Sequence, residues 1–476
     1  METPGAPVRT PGAGMVPLPL GEVLRVADEY ERGGRFDDAK RLLDHILAAD
    51  PKEPNALHLA GIVTFRLGDP QRALDLMQRS LLYGIDTPLY LRNICEVYRV
   101  LGRHDEALET GRRAIALAPA DPLCLQNLAI IHFHRLELDA ALDCANAALR
   151  LDPGLPGAHF ARAEALLLRG DWADGWEEYE WRFRIRGAAP LIPPAAMPPA
   201  AMQQWDGRSL PDKTLLLIAD QGFGDVVQFC RYIPWAAQRC PQIAIICAKE
   251  MSPLLRQQHP RLALIEHWND CPPYAAFCAL SGLPRLHGTR PNNVPSATRY
   301  LRADPGRSAV WRERLDRLAP PGYRRVGLVW AGRSEHNNDR NRSTALATFA
   351  PLAMLPGIAL VSLQKGPATA QAGNYFGRAP LINIGAEVAD YEDTMAILDC
   401  LDIVVTVDTS VGHLAGAMDR PAAIMLPRTP DWRWLLERAD SPWYTSVRLF
   451  RQSISRQWDE PVAAIAAHLK RQFETA

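Results

Sequence analysis

Two short stretches combine carboxylates, hydroxyls, histidine and glycine at spacings that could serve chemistry. The first is Asp408-Thr409-Ser410-Val411-Gly412-His413, which follows the apolar run Ile403 to Val407. Thr409 and Ser410 are good N-cap residues for a following helix. With Ser410 as the cap, the third helical position is His413, where a capping box would place Glu or Gln. A neutral donor there leaves the positive end of the helix open to an external anion, such as the phosphates of a nucleotide. An ordinary strand–helix turn with a surface histidine is the plainer alternative. The second stretch is Gly222-Phe223-Gly224-Asp225. A carboxylate at a helix start is commonly just a cap. In a cleft it can also accept the proton of an attacking hydroxyl. Gly222 and Gly224 would keep that cleft clear of side chains.

Each stretch needs a strand before it and a helix after it. Ile403 to Val407 is a continuous β-branched run, which suits a strand buried on both faces. Val411, Leu414, Ala415 and Met418 then share one side of a helix. Thr214 to Ala219 is likewise a buried-strand pattern, and Val226 to Ala237 is helical. Strand, glycine-bearing turn and helix open a doubly wound sheet, and ligands of such sheets bind where the strands end. The single G-x-G is weak evidence for any particular ligand, because the rest of the dinucleotide fingerprint is missing. Further strands are expected at Ile243 to Cys247, Leu262 to Ile265 and Ala275 to Leu280. A second sheet is expected from Val326 to Ala331, Ile358 to Leu363, Leu381 to Ile384, Ile403 to Val407 and Ala422 to Leu426, with helices at Leu346 to Met354, Tyr391 to Asp399 and Pro461 to Phe473. Pro430-Asp431-Trp432-Arg433-Trp434 follows the last of these strands. Its tryptophan faces suit stacking on a sugar or base, and core packing against Trp443 and Tyr444 is the alternative.

With 476 residues, the chain has room for about three domains. A net charge of −1 argues against a nucleic-acid binder. Nine cysteines occur with no C-x-x-C pair, so neither a zinc site nor a disulfide framework is indicated, and a reducing, cytoplasmic protein is expected. Residues 1–20 are rich in Pro and Gly and are expected to be disordered. No run approaches about 18 apolar residues, so no membrane insertion is expected.

The first third repeats itself. Ala39, Ala73, Ala107 and Ala141 lie 34 residues apart. Gly34, Gly68, Gly102 and Gly170 keep the same period, as do Pro51, Pro119 and Pro153. Three tracks on one period mark a helix–turn–helix array. Glycine closes the turn between paired helices, alanine permits their close crossing, and proline ends the second helix. This stretch, residues 21–187, resembles a tetratricopeptide repeat array of five units. Trp172, Trp176, Tyr179, Trp181 and Phe183 crowd its last unit. They are expected to pack the end of the array onto the next domain, with an exposed aromatic ligand site as the alternative. Asn93 and Asn127 sit one period apart on first helices, and an amide there can clamp a peptide backbone. In this they resemble the asparagine ladder of the O-linked N-acetylglucosamine transferases, with Leu59 and Ala161 interrupting it; two solvated surface residues are the alternative. Residues 188–204 form an Ala/Pro-rich linker.

Residues 205–476 resemble the bacterial glycosyltransferases built from two facing Rossmann-like domains, the GT-B architecture, and among them the heptosyltransferase-like group. Gly-Phe-Gly-Asp at 222–225 and Asp-Thr-Ser-Val-Gly-His-Leu-Ala at 408–415 carry this likeness. The whole arrangement resembles bacterial repeat-containing protein glycosyltransferases, including those proposed to modify flagellin. The implied fold is an N-terminal α-solenoid followed by two Rossmann-like α/β domains, at 205–320 and 321–476. The resemblance assigns Asp225 as the general base, and Asp408, Thr409, Ser410 and His413 as contacts of the nucleotide-sugar. The group's phosphate-binding lysine has no counterpart in the polar loop from Gly332 to Ser343. Arg342 is the candidate replacement, with Lys365 second; Arg340 and Arg342 on a solvated loop are the alternative.

The expected chemistry is inverting sugar transfer to a Ser or Thr of a protein acceptor. The helix start at Ser410, with Arg342 or Lys365, would stabilise the departing phosphate. No Asp-x-Asp with cleft placement occurs, so no metal and no further cofactor are expected. Two other outcomes stay open: a non-catalytic repeat adaptor with a vestigial transferase fold, and transfer onto a glycolipid.

Overall fold

A computed structural model describes residues 19–84, 86–185, 191–192, 203–295, 298–334, 336 and 338–474. The expected disordered tail, apart from Pro19 and Leu20, lies outside the described residues, as does most of the 188–204 linker. The chain divides into two compact units between Ala165 and Leu166.

The N-terminal part is helical. Among the described residues, ten α-helices run from Leu20–Arg32 to Trp172–Tyr179. The paired helices cross at alanine: Ala39, Ala73, Ala107 and Ala141 are buried. The turn glycines Gly34, Gly68, Gly102 and Gly170 all have positive φ, from 73° to 99°. The fourth turn has Leu136 instead, held at φ 62°, which explains the gap in the glycine track. Proline plays a different part from the expected one. Pro51, Pro119 and Pro153 lie in the connecting turns, while Pro54, Pro88, Pro122 and Pro156 open the first helices of successive units. Glu53, Thr87 and Asp121 cap three of those helices through their side chains. Proline suits a first helical position because its missing N–H is not needed there.

The second unit contains two parallel sheets. The first is built from β1 (Gln203–Gln204), β2 (Thr214–Ile218), β3 (Gln242–Ile246), β4 (Ala263–Ile265) and β5 (Ala276–Ala279). Its order is β1-β5-β2-β3-β4, with every pair parallel. The second sheet comprises β6 (Arg324–Val329), β7 (Ile358–Ser362), β8 (Leu381–Asn383), β9 (Ile403–Val407), β10 (Ala422–Leu426) and β11 (Val447–Arg451). Its order is β11-β10-β9-β6-β7-β8, again all parallel. Strand order therefore reverses between β2 and β5 in one sheet and between β6 and β9 in the other. In open parallel sheets the segments leaving such strands are the usual place for ligands. Gly222–Asp225 follows β2, Gly332–Ser343 follows β6 and Asp408–His413 follows β9.

The helix expected over Val226 to Ala237 starts earlier, at Phe223, and comes in three pieces: Phe223–Phe229, a 3-10 turn Cys230–Tyr232, and Ile233–Ala237. Pro234 cannot donate to the preceding turn, which breaks the run. Pro351 acts similarly on Leu346 to Met354, which becomes a 3-10 turn and one helical turn. The polar loop after β6 folds into a one-turn helix, Asp339–Arg342. Of the crowded aromatics, Trp172, Trp176 and Tyr179 are buried, and Trp181 and Phe183 are half-buried. Trp172 stacks on Trp443 with ring centres 4.9 Å apart, and Trp176 donates to the Thr289 carbonyl at 3.0 Å.

Candidate functional site

The two sheets of the second unit meet through the turns singled out in the sequence. The Phe223–Phe229 helix lies against the Ser410–Ala417 helix, and Gly224 is where they approach. A Cβ on Gly224 would stand 2.9 Å from His413 Cδ2 and 3.6 Å from Ser410 Cα. That position therefore requires glycine for steric reasons. Around it, Phe223 packs edge-on to Tyr391 at 5.4 Å, and Tyr300 and Leu301 donate backbone hydrogen bonds to the Ala417 carbonyl.

His413 is buried, 6 % exposed. Its Nδ1 shares a 2.8 Å hydrogen bond with the Tyr444 hydroxyl, and its ring stacks on Trp434 at 5.3 Å. Its Nε2 lies 4.0 Å from Asp408 Oδ1. Burial, aided by Arg433, Arg231 and Arg342, holds its pKa well below the usual histidine range, so the ring is neutral at physiological pH. Burial pushes the Asp408 carboxyl up to about 6, and the Asp431 carboxylate adds to the rise. The helix cap is Thr409 rather than Ser410, and it makes no side-chain cap bond. Its hydroxyl pairs with Thr406 at 3.0 Å instead. His413 is consequently the fourth helical residue, and Gly412 is the third. The Ser410 hydroxyl meets Tyr391 at 3.2 Å.

Asp225 lies in the first turn of its helix, and its carboxylate is ion-paired with Arg433. Its side chain is 23 % exposed, against 8 % for Arg433. With its amide oriented to suit its neighbours, Gln221 also donates to Asp225 at 3.0 Å. Burial raises the Asp225 pKa; Arg433 opposes that rise, and Asp431 and Asp220 add to it. Nearby, Asp220 accepts from the Ser281 backbone N–H at 3.1 Å and from its hydroxyl, tying the end of β2 to that of β5.

Arg433 was not among the expected site residues. It donates to Gln228 Oε1 at 2.6 Å and to both Asp431 oxygens at 2.8 and 2.9 Å, besides Asp225. It thus joins the Phe223–Phe229 helix of one sheet to the segment after β10 of the other. Its only signal in the sequence was its place between Trp432 and Trp434. Those tryptophans are core rather than stacking faces: Trp432 is 4 % exposed and Trp434 is fully buried.

Arg342 lies close to Asp408 and His413, whose pKa values its charge lowers. Its guanidinium packs under Gly332, where a Cβ would come within 2.6 Å of Nη2, and its Nε lies 3.6 Å from Asp339. Lys365 is exposed and donates to the Val388 carbonyl, after β7 and outside this cluster. Gly222 is exposed, with only the Asp225 carboxylate near its missing Cβ among the described residues. Arg340 is exposed on the same helical turn as Arg342. In the first unit, Asn93 and Asn127 each reach back to the preceding first helix. Asn93 Nδ2 meets His58 Nε2 at 2.9 Å, and Asn127 Nδ2 donates to the Arg92 carbonyl at 3.4 Å. Both are half-buried and partly engaged within the array.

Among the described residues, no group of three or more His, Cys, Asp and Glu side chains is arranged to hold a metal ion. Among them too, no helix is long and apolar enough to cross a membrane.

Residues 24–88 and 65–122 match the tetratricopeptide repeat family model. Protein FlbA of Caulobacter vibrioides is 25% identical, over 92% of this chain and 82% of its own. Solved structures that align with about a third of the chain include MamA, at 19% identity, TM-score 0.29 and 91% coverage of that chain. YrrB, described as a TPR protein with an unusual peptide-binding site, aligns at 20% identity and TM-score 0.29, over 34% of this chain and 84% of its own. Pseudomonas aeruginosa pilF aligns at 19% identity and TM-score 0.32, over 36% of this chain and 77% of its own. The chain is thus a tetratricopeptide-repeat protein in its N-terminal part, compatible with binding a protein partner, and continues into parallel-sheet structure.

Proposed function

We propose that the second unit is a GT-B-type glycosyltransferase of two Rossmann-like domains, and that it moves a sugar from a nucleotide-sugar to a Ser or Thr hydroxyl of a protein. The observation that carries this reading is the seating of His413 against Gly224, which brings the Gly222–Asp225 and Asp408–His413 turns together. The acceptor oxygen attacks the anomeric carbon, and the bond from that carbon to the donor phosphate breaks with inversion. The acceptor's proton goes to Asp225. Its upward-shifted pKa suits a general base, which works best when its pKa approaches the working pH. The leaving phosphate meets the start of the Ser410–Ala417 helix and Arg342, whose Nε has no hydrogen-bond partner among the described residues. This step uses no metal. The tetratricopeptide repeats hold the acceptor, through Asn93 and Asn127 among others, and flagellin is the first acceptor to assay. Lys365, held on Val388, has a lesser claim to the phosphate than Arg342.

The deciding experiment is a thermal-shift screen against nucleoside mono- and diphosphates, followed by transfer assays with the nucleotide-sugar that the screen selects. Stabilisation by one nucleotide is expected, and Asp225→Asn is expected to abolish transfer while the nucleotide still binds. Normal turnover in that variant removes the base assignment. A repeat adaptor without catalysis is the second reading, favoured by the tetratricopeptide match over residues 24–88 and 65–122, since such repeats bind proteins. Absence of any nucleotide-induced shift would select it. Modification of a glycolipid instead of protein would select the third outcome.

A further inference from the structure

Arg433 holds its partners unequally. Asp431 is two residues away on the same segment, binds Nη1 with both oxygens, and caps the local 3-10 turn by accepting from the Arg433 backbone N–H at 3.0 Å. Gln228 accepts from Nε at 2.6 Å. These contacts fix the guanidinium in place. The remaining edge, Nη2, points to Asp225, which belongs to the other sheet and is the more exposed member of the pair. Asp225 also faces the Asp220 and Asp431 carboxylates. The pair is largely buried and lies among like charges, so it recovers little of its desolvation cost, and Arg433 keeps Asp431 as a counter-charge when Nη2 changes partner.

A carboxylate oxygen occupied by a guanidinium is poorly placed to accept a proton. Arg433 and Gln221 both meet Oδ1, and the guanidinium charge weakens the whole carboxylate as a base, so Asp225 gains basicity when Nη2 finds another anion. Guanidinium groups bind phosphate oxygens well, in the same geometry as carboxylates. Arg342 and the start of the Ser410–Ala417 helix supply further positive character beside Asp408.

We propose that Arg433 changes partner when the nucleotide binds: Nη2 leaves Asp225 for a phosphate oxygen, and Asp225 is released for the acceptor hydroxyl only once the donor is in place. This inference rests on the proposed transfer reaction and adds its regulation. Binding is ordered, donor first, and the empty site holds its base in check. Arg433 is a positioning residue for Asp225 and a direct contact of the donor phosphate.

The test is titration calorimetry on the full chain with the nucleoside mono- or diphosphate selected by the thermal-shift screen. Removing the competing carboxylate should tighten binding, so Asp225→Asn is expected to lower the Kd by about five- to tenfold, within the usual range for coupled sites. Arg433→Gln is expected to raise the Kd by at least about tenfold. In the double variant Asp225→Asn should have no further effect. If Asp225→Asn leaves the Kd unchanged, the exchange does not occur. If it tightens binding equally in both backgrounds, simple repulsion by the Asp225 charge accounts for the effect and the proposal falls. Should Arg433→Gln fail to fold, Arg433→Lys is the second background, and there the Asp225→Asn effect should shrink. A wild-type chain that binds no nucleotide would remove both the transfer reaction and this inference, whereas binding without the predicted coupling would remove the inference alone.

Discussion

At the residue scale, the close approach of the Gly222–Asp225 and Asp408–His413 turns depends on one missing methyl group. Gly224→Ala would drive a Cβ into His413, whose ring is fixed between Trp434 and Tyr444 and cannot retreat. We expect a loss of about 1–3 kcal/mol in denaturant unfolding, with weakened nucleotide binding. Gly222→Ala is the control. Among the described residues its Cβ would meet only the Asp225 carboxylate, at 3.3 Å, and its φ of −66° is ordinary, so stability should change by less than about 1 kcal/mol. Asp408 gives a pH signature. Its carboxyl sits at about 6 in the folded chain, against about 3.9 when unfolded. The folded state therefore binds this proton more tightly. The resulting stabilisation is complete below about pH 4 and is lost as pH rises through about 6, a change of about 3 kcal/mol. Urea unfolding at pH 4.5 and 7 should show wild type losing stability relative to Asp408→Asn over that interval. Parallel pH dependence in the two proteins would refute the shifted carboxyl.

At the element scale, the repeat turns were legible because backbone sterics leave a mark on sequence. Gly102 has φ 75°, and a methyl group added there would meet no described atom within 4 Å, so Gly102→Ala isolates the conformational cost. A loss of about 1 kcal/mol is expected on thermal or urea unfolding. Leu136, at φ 62°, bears that strain in the fourth turn. The strands were also legible, since β9 is β-branched throughout and β10 is an unbroken apolar run. Helix integrity was less so. The proline at 234 interrupts a run whose apolar spacing alone favours one continuous helix, because spacing carries no information about a missing N–H donor. The short β1 and the fairly polar β11 lack a strand signature and exist through pairing with β5 and β10.

At the scale of the whole molecule, the division into units decides how the chain can be cut. The Trp172–Tyr179 helix has the period of a repeat, yet its tryptophans are buried against Trp443 and Trp432 in the second unit. A truncation that removes the chain through Ala165 should keep the second unit folded and able to bind nucleotide, while losing modification of a protein acceptor. Removal through Gly187 should strip Trp172 and Trp176 from that core, at about 3–5 kcal/mol for each large aromatic lost. Thermal unfolding of the two truncations, with and without nucleotide, checks this. Equal melting temperatures would mean that the aromatic helix contributes nothing to the second unit.

Local constraints are written along the chain. Turn conformation, helix crossing and strand burial each demand particular residues at particular spacings, so the repeat period, most of the strands and the Gly222–Asp225 and Asp408–His413 turns could all be read from sequence. Partnership between distant residues leaves no such periodic trace. That Gly224 receives His413, that Arg433 stands beside Asp225, that Lys365 is held on Val388, that Asn93 and Asn127 bond within the array, and that Trp434 backs His413 instead of facing a ligand were decided only by tertiary packing. The reason is that a side chain's charge state and availability depend on what is buried with it, and burial is a property of the assembled fold.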